Sequence, residues 1–367
     1  MNRRAPAAGP GTVAPAVPAA RTAAEDAVAR VVRARGRGRA RYAAVCSVLA
    51  LLVLASLCTA LVTGDVTVPL PDVLSALFGG GDLGTHFVVV ELRLPRALLA
   101  MLIGLCFGMA GAVFQSLLRN PLASPDVIGI SSGASTAAVL ASMAFAASGL
   151  VLSATALLGA LVTGTAIYLL AWRKGVDGAR LVLVGVGVGT GLTSVVSYLM
   201  TRSDVTEAQT AFVWLVGSLN GRSWSQFWPL LIAVVPLVPL TLAASRNLPA
   251  LQLGDDTATG LGARTERGRL ALLACATGLA GVATAAAGPV GFVAFVCPPI
   301  ARRLLPGQGA AVVPSALVGA ALVCLADLAG QHLLPDTQLP VGVLTSIIGA
   351  PYLLWLLARA NRVGQGG

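Results

Sequence analysis

Charge is scarce in this chain: only 11% of its 367 residues are Asp, Glu, Lys or Arg, where soluble domains carry roughly a quarter. Aromatic residues make up 5%, and there is one lysine, Lys174, with two histidines, His86 and His332. Each shortage excludes something. With 56% hydrophobic residues, a globule of this size cannot face water all round, so lipid must solvate much of its surface. The lone lysine stands in Trp172-Arg173-Lys174-Gly175 and belongs to no G-x-x-x-x-G-K-[ST] loop. Without that phosphate cradle the chain does not hydrolyse ATP. Two isolated histidines make no zinc site. Cys46, Cys58, Cys106, Cys275, Cys297 and Cys324 lie singly in apolar runs and read as small buried hydrophobes, with no metal site among them. No nucleophile, base and orienter cluster can be named, so no catalytic residue is expected.

Ionisable groups are also missing from the middle of the long apolar runs; Asp327 comes closest, near the outer end of the ninth. Carriers driven by protons or sodium ions place such groups at mid-membrane. Energy for uphill transport would therefore come from outside the chain.

What is abundant is apolar sequence, Gly (42) and Pro (21). Small residues permit close helix packing in a bilayer. Residues 1–41 are rich in Ala, Pro and Arg, hold nine arginines and show no apolar period, which predicts a disordered basic cytoplasmic tail. A transmembrane domain follows over 42–360, and 361–367 form a short second tail. The first run, Tyr42 to Val62, is long for a signal peptide and lacks an A-x-A site, so it reads as a retained span. Further runs follow at about 97–118, 127–147, 149–171, 181–201, 226–244, 270–287, 290–304, 310–329 and 340–358. The expected architecture is all-α, with about ten membrane spans.

Charge placement supports this threading. With the N-terminus inside and alternating spans, 21 basic residues fall on inner segments and 4 on outer ones. This bias puts both termini in the cytoplasm, and it accounts for the net charge of +10 without nucleic acid. Two connecting segments are longer than a turn requires. The outer one holds Glu207 to Leu215, a short amphipathic helix by its pattern. The inner one reads Leu251-Gln252-Leu253-Gly254-Asp255-Asp256-Thr257-Ala258-Thr259-Gly260-Leu261-Gly262, which suits a short helix on the membrane face, open to a partner. The run Gly185-Val186-Gly187-Val188-Gly189-Thr190-Gly191 lies inside an apolar span and lacks both the G-x-G-x-x-G register and a βαβ context. It reads as a close-packing helix or as one lining a path.

Several strings then occur in order. They are Arg93-Leu94-Pro95-Arg96, Gln115 to Pro125 (QSLLRNPLASP), Ile128-Gly129-Ile130-Ser131-Ser132-Gly133-Ala134, Leu253-Gly254-Asp255-Asp256 with Leu261-Gly262, Ala287 to Val293 (AGPVGFV), Ile300-Ala301-Arg302, Ala326-Asp327, Leu339-Pro340-Val341-Gly342-Val343 and Gly349-Ala350-Pro351. The ordered set resembles the FecCD-type permeases of ATP-binding-cassette importers for iron-siderophores, haem and cobalamin. The resemblance covers about residues 42–360. It implies the type II importer permease fold, a second permease subunit, two cytoplasmic ATPases that hold ATP and magnesium, and an extracytoplasmic binding protein. Leu253, Gly254, Asp255, Asp256, Ala258, Leu261 and Gly262 would form the ATPase-coupling loop. Arg93 and Arg96 would receive carboxylates of the binding protein, for which a planar guanidinium is suited. Gly185, Gly187, Gly189 and Gly191 are pathway or packing candidates. Departures exist. Where the cobalamin importer has a third docking arginine stands Gln331, the proline-histidine before Ile-Ala-Arg is Pro298-Pro299, and an acidic-His-Arg turn is replaced by Pro306-Gly307-Gln308-Gly309. The string Gly217 to Trp224 (GSLNGRSW) and the ending Leu339 to Leu357 look most like a ferric enterobactin-type permease of a heterodimer. Cobalamin or haem import by the same family is the alternative, followed by an ion-coupled carrier.

Overall fold

A computed structural model of the chain describes residues 17–64, 66–173, 178–252, 254–260, 265–307, 309–334 and 337–364. The chain divides at Ala44 into two units, and the packing below concerns the second.

Helix α1 runs Val17–Val62. Residues 17–41, expected to be unstructured, are thus helical; residues 1–16 lie outside the described part. The reason is local: Ala and Arg are strong helix formers, and no proline stands between Pro18 and Pro69. After α1 come two short helices, α2 (Leu70–Leu77) and α3 (Leu83–His86), the latter capped by the Asp82 carboxylate, which accepts from the Thr85 N–H at 3.0 Å. A π-helical stretch, Phe87–Arg93, leads directly into α4 (Leu94–Leu117).

The remaining helices are α5 (Ile130–Phe145), α6 (Gly149–Ala171), α7 (Gly178–Arg202), α8 (Val205–Leu215), α9 (Trp224–Ser245), α10 (Leu248–Gln252), α11 (Asp255–Gly260), α12 (Thr265–Ala287), α13 (Val293–Leu304), α14 (Val312–His332) and α15 (Val341–Gly364). The expected interfacial helix is present as α8. Among the described residues, seven helical stretches are long and apolar enough to cross a membrane, and α5 and the Val341–Leu356 part of α15 are shorter apolar helices. The eighth expected span differs. It is α13, whose 12 residues rise only roughly 18 Å against a hydrocarbon core of ~30 Å. Among the described residues ten apolar helices match the expected runs, seven of them long enough to be full crossings.

Helix α4 is apolar around most of its circumference and buried along most of its length, the mark of a central helix. Its closest neighbour, α14, is set by glycine. A Cβ built on Gly104 would overlap the carbonyl oxygen of Gly319, one on Gly319 that of Gly104, and one on Gly108 that of Ser315. The two backbones touch, which gives dispersion contact in a solvent where the hydrophobic effect adds little between helices. Phe107 and Phe114 are 0% and 1% exposed and fill the rest of this core. Around α4 pack α9, α12 and α13, while α5 and α6 form a second pair with α7 along its flank.

Candidate transport path and coupling face

The four glycines of α7 separate into two pairs. A Cβ on Gly185 would lie 2.7 Å from the Ile128 carbonyl oxygen, and one on Gly189 would lie 3.0 Å from the Gly129 Cα. Gly187 and Gly191 have nothing within 4 Å. Two residues along a helix turn through about 200°, so packing glycines and open glycines occupy opposite faces. The open face continues through Thr190, Ser194, Ser197 and Thr201, all exposed. Each hydroxyl donates to the carbonyl four residues back, at 2.8, 3.0, 3.1 and 2.8 Å. Small residues whose polar groups are already satisfied make up the middle of this face, which Leu183 and Tyr198, 75% and 60% exposed, flank on the same side of the helix.

Three of the sequence strings converge beside α8. Gly217 (φ +74°) and Gly288 (φ +80°) take left-handed conformations open to glycine. The Ser218 N–H donates to the Ala287 carbonyl at 2.9 Å, and the Gly342 N–H donates to that of Gly217 at 3.1 Å. Near this junction sits Asp126, whose Oδ1 accepts from the Ser131 hydroxyl and whose buried Oδ2, with the Phe292 backbone nearby, has no hydrogen-bond partner among the described residues. It lies at the N-termini of both α5 and α13, where helix dipoles favour a carboxylate.

Arg93 and Arg96 lie at one end of the bundle, but neither stands free. The Arg93 guanidinium donates to the carbonyls of Leu61 at 2.8 Å, Val62 at 3.3 Å and Val66. The Val66 carbonyl lies beyond α1, and that of Val62 also accepts from the Val68 N–H at 3.0 Å, so Arg93 fastens the last turn of α1 to the segment that follows it. Arg96 holds Asp327 through Nε (3.2 and 3.1 Å) and Nη2 (3.0 Å), and donates from Nη1 to Gln338 Oε1 at 2.8 Å. The side chains of the pair are 14% and 5% exposed. Gln331 completes the cluster, donating to Asp327 at 2.8 Å. The docking expectation treated both arginines as available forks and Gln331 as a lost one; here all three have internal partners. Removing one member of a buried pair strands the other charge at a cost of about 3–5 kcal/mol. Asp327→Ala is expected to lower the melting temperature in detergent by several degrees, while Arg96→Met with Asp327→Leu recovers most of the loss. A single variant that melts with the parent would show that the pair does not hold this end together.

At the opposite end, α10 and α11 flank Gly254 (φ +107°). Ala258 is buried, at 0% exposure, and fixes α11 to the body. Leu253, Leu261 and Gly262 lie outside the described residues, and Asp255 and Asp256 open α11. Sequence reading gave Arg119 no role, yet its guanidinium donates to the Leu251 carbonyl at 2.6 Å, tying α10 to the turn after α4. Gln115 donates to the Phe295 carbonyl at 3.0 Å and accepts from Arg302 at 2.5 Å. A cavity of about 400 Å³ opens between them, lined by Gln115, Arg119, Gln252 and Arg302. The available signal was Gln115 itself, a buried polar residue that ends a long apolar run in α4.

A multi-helix body whose described helices include seven long and apolar enough to cross a membrane, with glycines at their closest contacts, defines a polytopic membrane protein. Residues 51–359 match the model of the FecCD transport family, and the chain belongs to that family. It is 41% identical to the ferric enterobactin transport system permease protein FepG of Escherichia coli over 304 residues, 82% of this chain and 91% of that one. It is 39% identical to the iron(3+)-hydroxamate import system permease protein FhuG of Bacillus subtilis, covering 78% and 88%. A solved metal-chelate type ABC transporter in an inward-facing conformation superimposes with a TM-score of 0.76 at 26% identity, over 87% of this chain and all of that one. The chain is a permease subunit of an ABC importer of metal chelates, a non-catalytic multi-pass protein of the cytoplasmic membrane with the importer permease fold.

Proposed function

We propose that the chain carries ferric siderophores of the catecholate type by alternating access, paired with a second permease subunit of a related kind. The open face of α7 carries this reading. A lipid-facing helix gains nothing from a file of Gly, Thr and Ser, whereas a path for a bulky chelate needs small residues whose hydroxyls are already bonded. The similarity to the enterobactin permease favours catecholates over hydroxamates by a small margin in identity.

Both termini lie in the cytoplasm on this reading, so α10 and α11 face two ATPase subunits that bind ATP and magnesium. The binding protein docks at the end bearing Arg93 and Arg96, where the Asp327 carboxylate offsets the Arg96 charge. ATP-driven movement of the coupling loop (Leu253, Gly254, Asp255, Asp256, Ala258, Leu261, Gly262) passes through the Arg119–Leu251 bond to α4 and on to the helices beside it.

Reconstitution tests this. In proteoliposomes, labelled ferric catecholate should accumulate only when the second permease, the ATPase and the binding protein are all present with ATP. Arg119→Ala should preserve basal ATP hydrolysis and reduce uptake about tenfold, the loss of one charge-assisted hydrogen bond. Accumulation driven by a proton gradient without the ATPase would refute the importer mechanism, and unimpaired uptake in Arg119→Ala would remove that residue from the coupling route.

A further inference from the structure

Between α5, α8 and the 338–340 segment lies a cavity of about 500 Å³. Its polar lining is Ser142, Thr210, Ser218, Asn220, Arg222 and Gln338, with Trp214 among the apolar residues that line the rest. Of these groups Gln338 and Arg222 have donors to spare, whereas the Thr210 hydroxyl already donates to the Thr206 carbonyl at 3.0 Å. Gln338 gives its oxygen to Arg96, which leaves its amide N–H groups for the cavity. Arg222 donates from Nε to the Ser218 carbonyl at 3.3 Å, and the fork of its terminal nitrogens remains. Among the described residues no carboxylate lines the cavity, and Arg222 forms no ion pair. The neighbouring Arg96 adds little, because Asp327 neutralises it.

The loop that carries Arg222 is held firmly. The Ser218 N–H is fixed by Ala287, and Gly217 by Gly342, so the guanidinium is positioned before any ligand arrives. Burial draws the Arg222 pKa below its ordinary value, as expected of a cation short of counter-charge. A site of this size takes a ring or an arm of a large ligand.

We infer that this cavity is a receiving site for an anionic oxygen group of the chelate, a catecholate or carboxylate arm, with the Arg222 guanidinium as its counter-charge. This rests on the importer reading above and adds to it a charge preference residing in the permease itself. Iron wrapped by three catecholates is negatively charged, while iron wrapped by three hydroxamates is neutral, so the two separate charge from size.

The test uses the complete importer in proteoliposomes, with ferric tris-catecholate and ferric tris-hydroxamate as probes. Arg222→Gln should raise KM for the catecholate about tenfold with kcat little changed, as for loss of one charged contact. Arg222→Lys should restore part of the loss, and KM for the neutral chelate should not move. Salt should raise the parent's KM for the catecholate, and Arg222→Gln should abolish that dependence. Equal effects on both chelates, no effect on the catecholate, or transport of the neutral chelate alone would overturn the inference. If only the catecholate is carried, persistence of the salt dependence in Arg222→Gln would overturn it. A parent importer that moves neither chelate would sink the importer reading, and this inference with it.

Discussion

Gly319→Leu is expected to yield almost no folded protein. The position faces the backbone of α4 directly, and even a Cβ there overlaps the Gly104 carbonyl oxygen. A neighbouring side chain can rotate away, but a backbone carbonyl cannot move without its helix. Leucine would force α4 and α14 apart along the seam that Gly104 and Gly108 also form. Overpacking of this kind costs about 3 kcal/mol or more, a large part of a typical folding margin. In lipid, hydrophobic collapse would not hold the separated helices together. The measurement is the yield of monodisperse protein after detergent extraction, with its melting temperature. Parent-like values for both would mean that the helix seam is looser than its geometry indicates.

The second large effect is on transport, with stability spared. Gly187→Leu combined with Gly191→Leu puts two bulky side chains on the open face of α7. Neither position has an atom within 4 Å to clash with, and leucine is a better helix former than glycine by nearly 1 kcal/mol per site. The double variant should melt at or above the parent temperature. If the face lines the path, uptake of a large chelate should fall more than tenfold while the ATPase still assembles with the permease. The matched double variant Gly185→Leu with Gly189→Leu should do the reverse and destabilise the protein, because those positions press on Ile128 and Gly129. Wild-type uptake by the Gly187/Gly191 variant would exclude the face from the path. Loss of uptake together with loss of the second permease would assign it to the subunit contact instead.

These two experiments mark where sequence reading ends. Periodicity and composition were enough to find the glycine run in α7, because an apolar helix with glycine at alternate positions is unusual in itself. They could not separate 185 and 189 from 187 and 191. That division depends on where α5 approaches, and no local pattern encodes it. The 251–262 segment was legible as a break in the apolar pattern, with glycines and acids between two long runs, and its described residues fall in two short helices about Gly254. Its attachment to the turn after α4 through Arg119 was not legible, since the partner is a backbone carbonyl 132 residues away.

Arg93 and Arg96 teach the same lesson from the other side. Their place near the start of the second span followed from the sequence, but their partners did not. Arg93 meets the end of α1, and Arg96 meets a carboxylate 231 residues later. A guanidinium looks identical in sequence whether it is free, caps a helix or is paired.

The sequence by itself determined that this chain lives in lipid, crosses it repeatedly, binds no ATP through a phosphate loop and belongs with importer permeases. Those properties follow from solvation and from short strings whose order along the chain survives without folding. Only the tertiary structure decided which glycines touch backbone, that the eighth apolar run is a half-length helix, and that the arginines at one end are neutralised or spent on carbonyls. It alone also left Arg222 facing a cavity with no counter-charge among the described residues. The physical reason is range. Burial and periodicity act over one or two helical turns, whereas charge pairing and backbone contact join residues far apart in sequence, and their strength depends on what else the fold brings near.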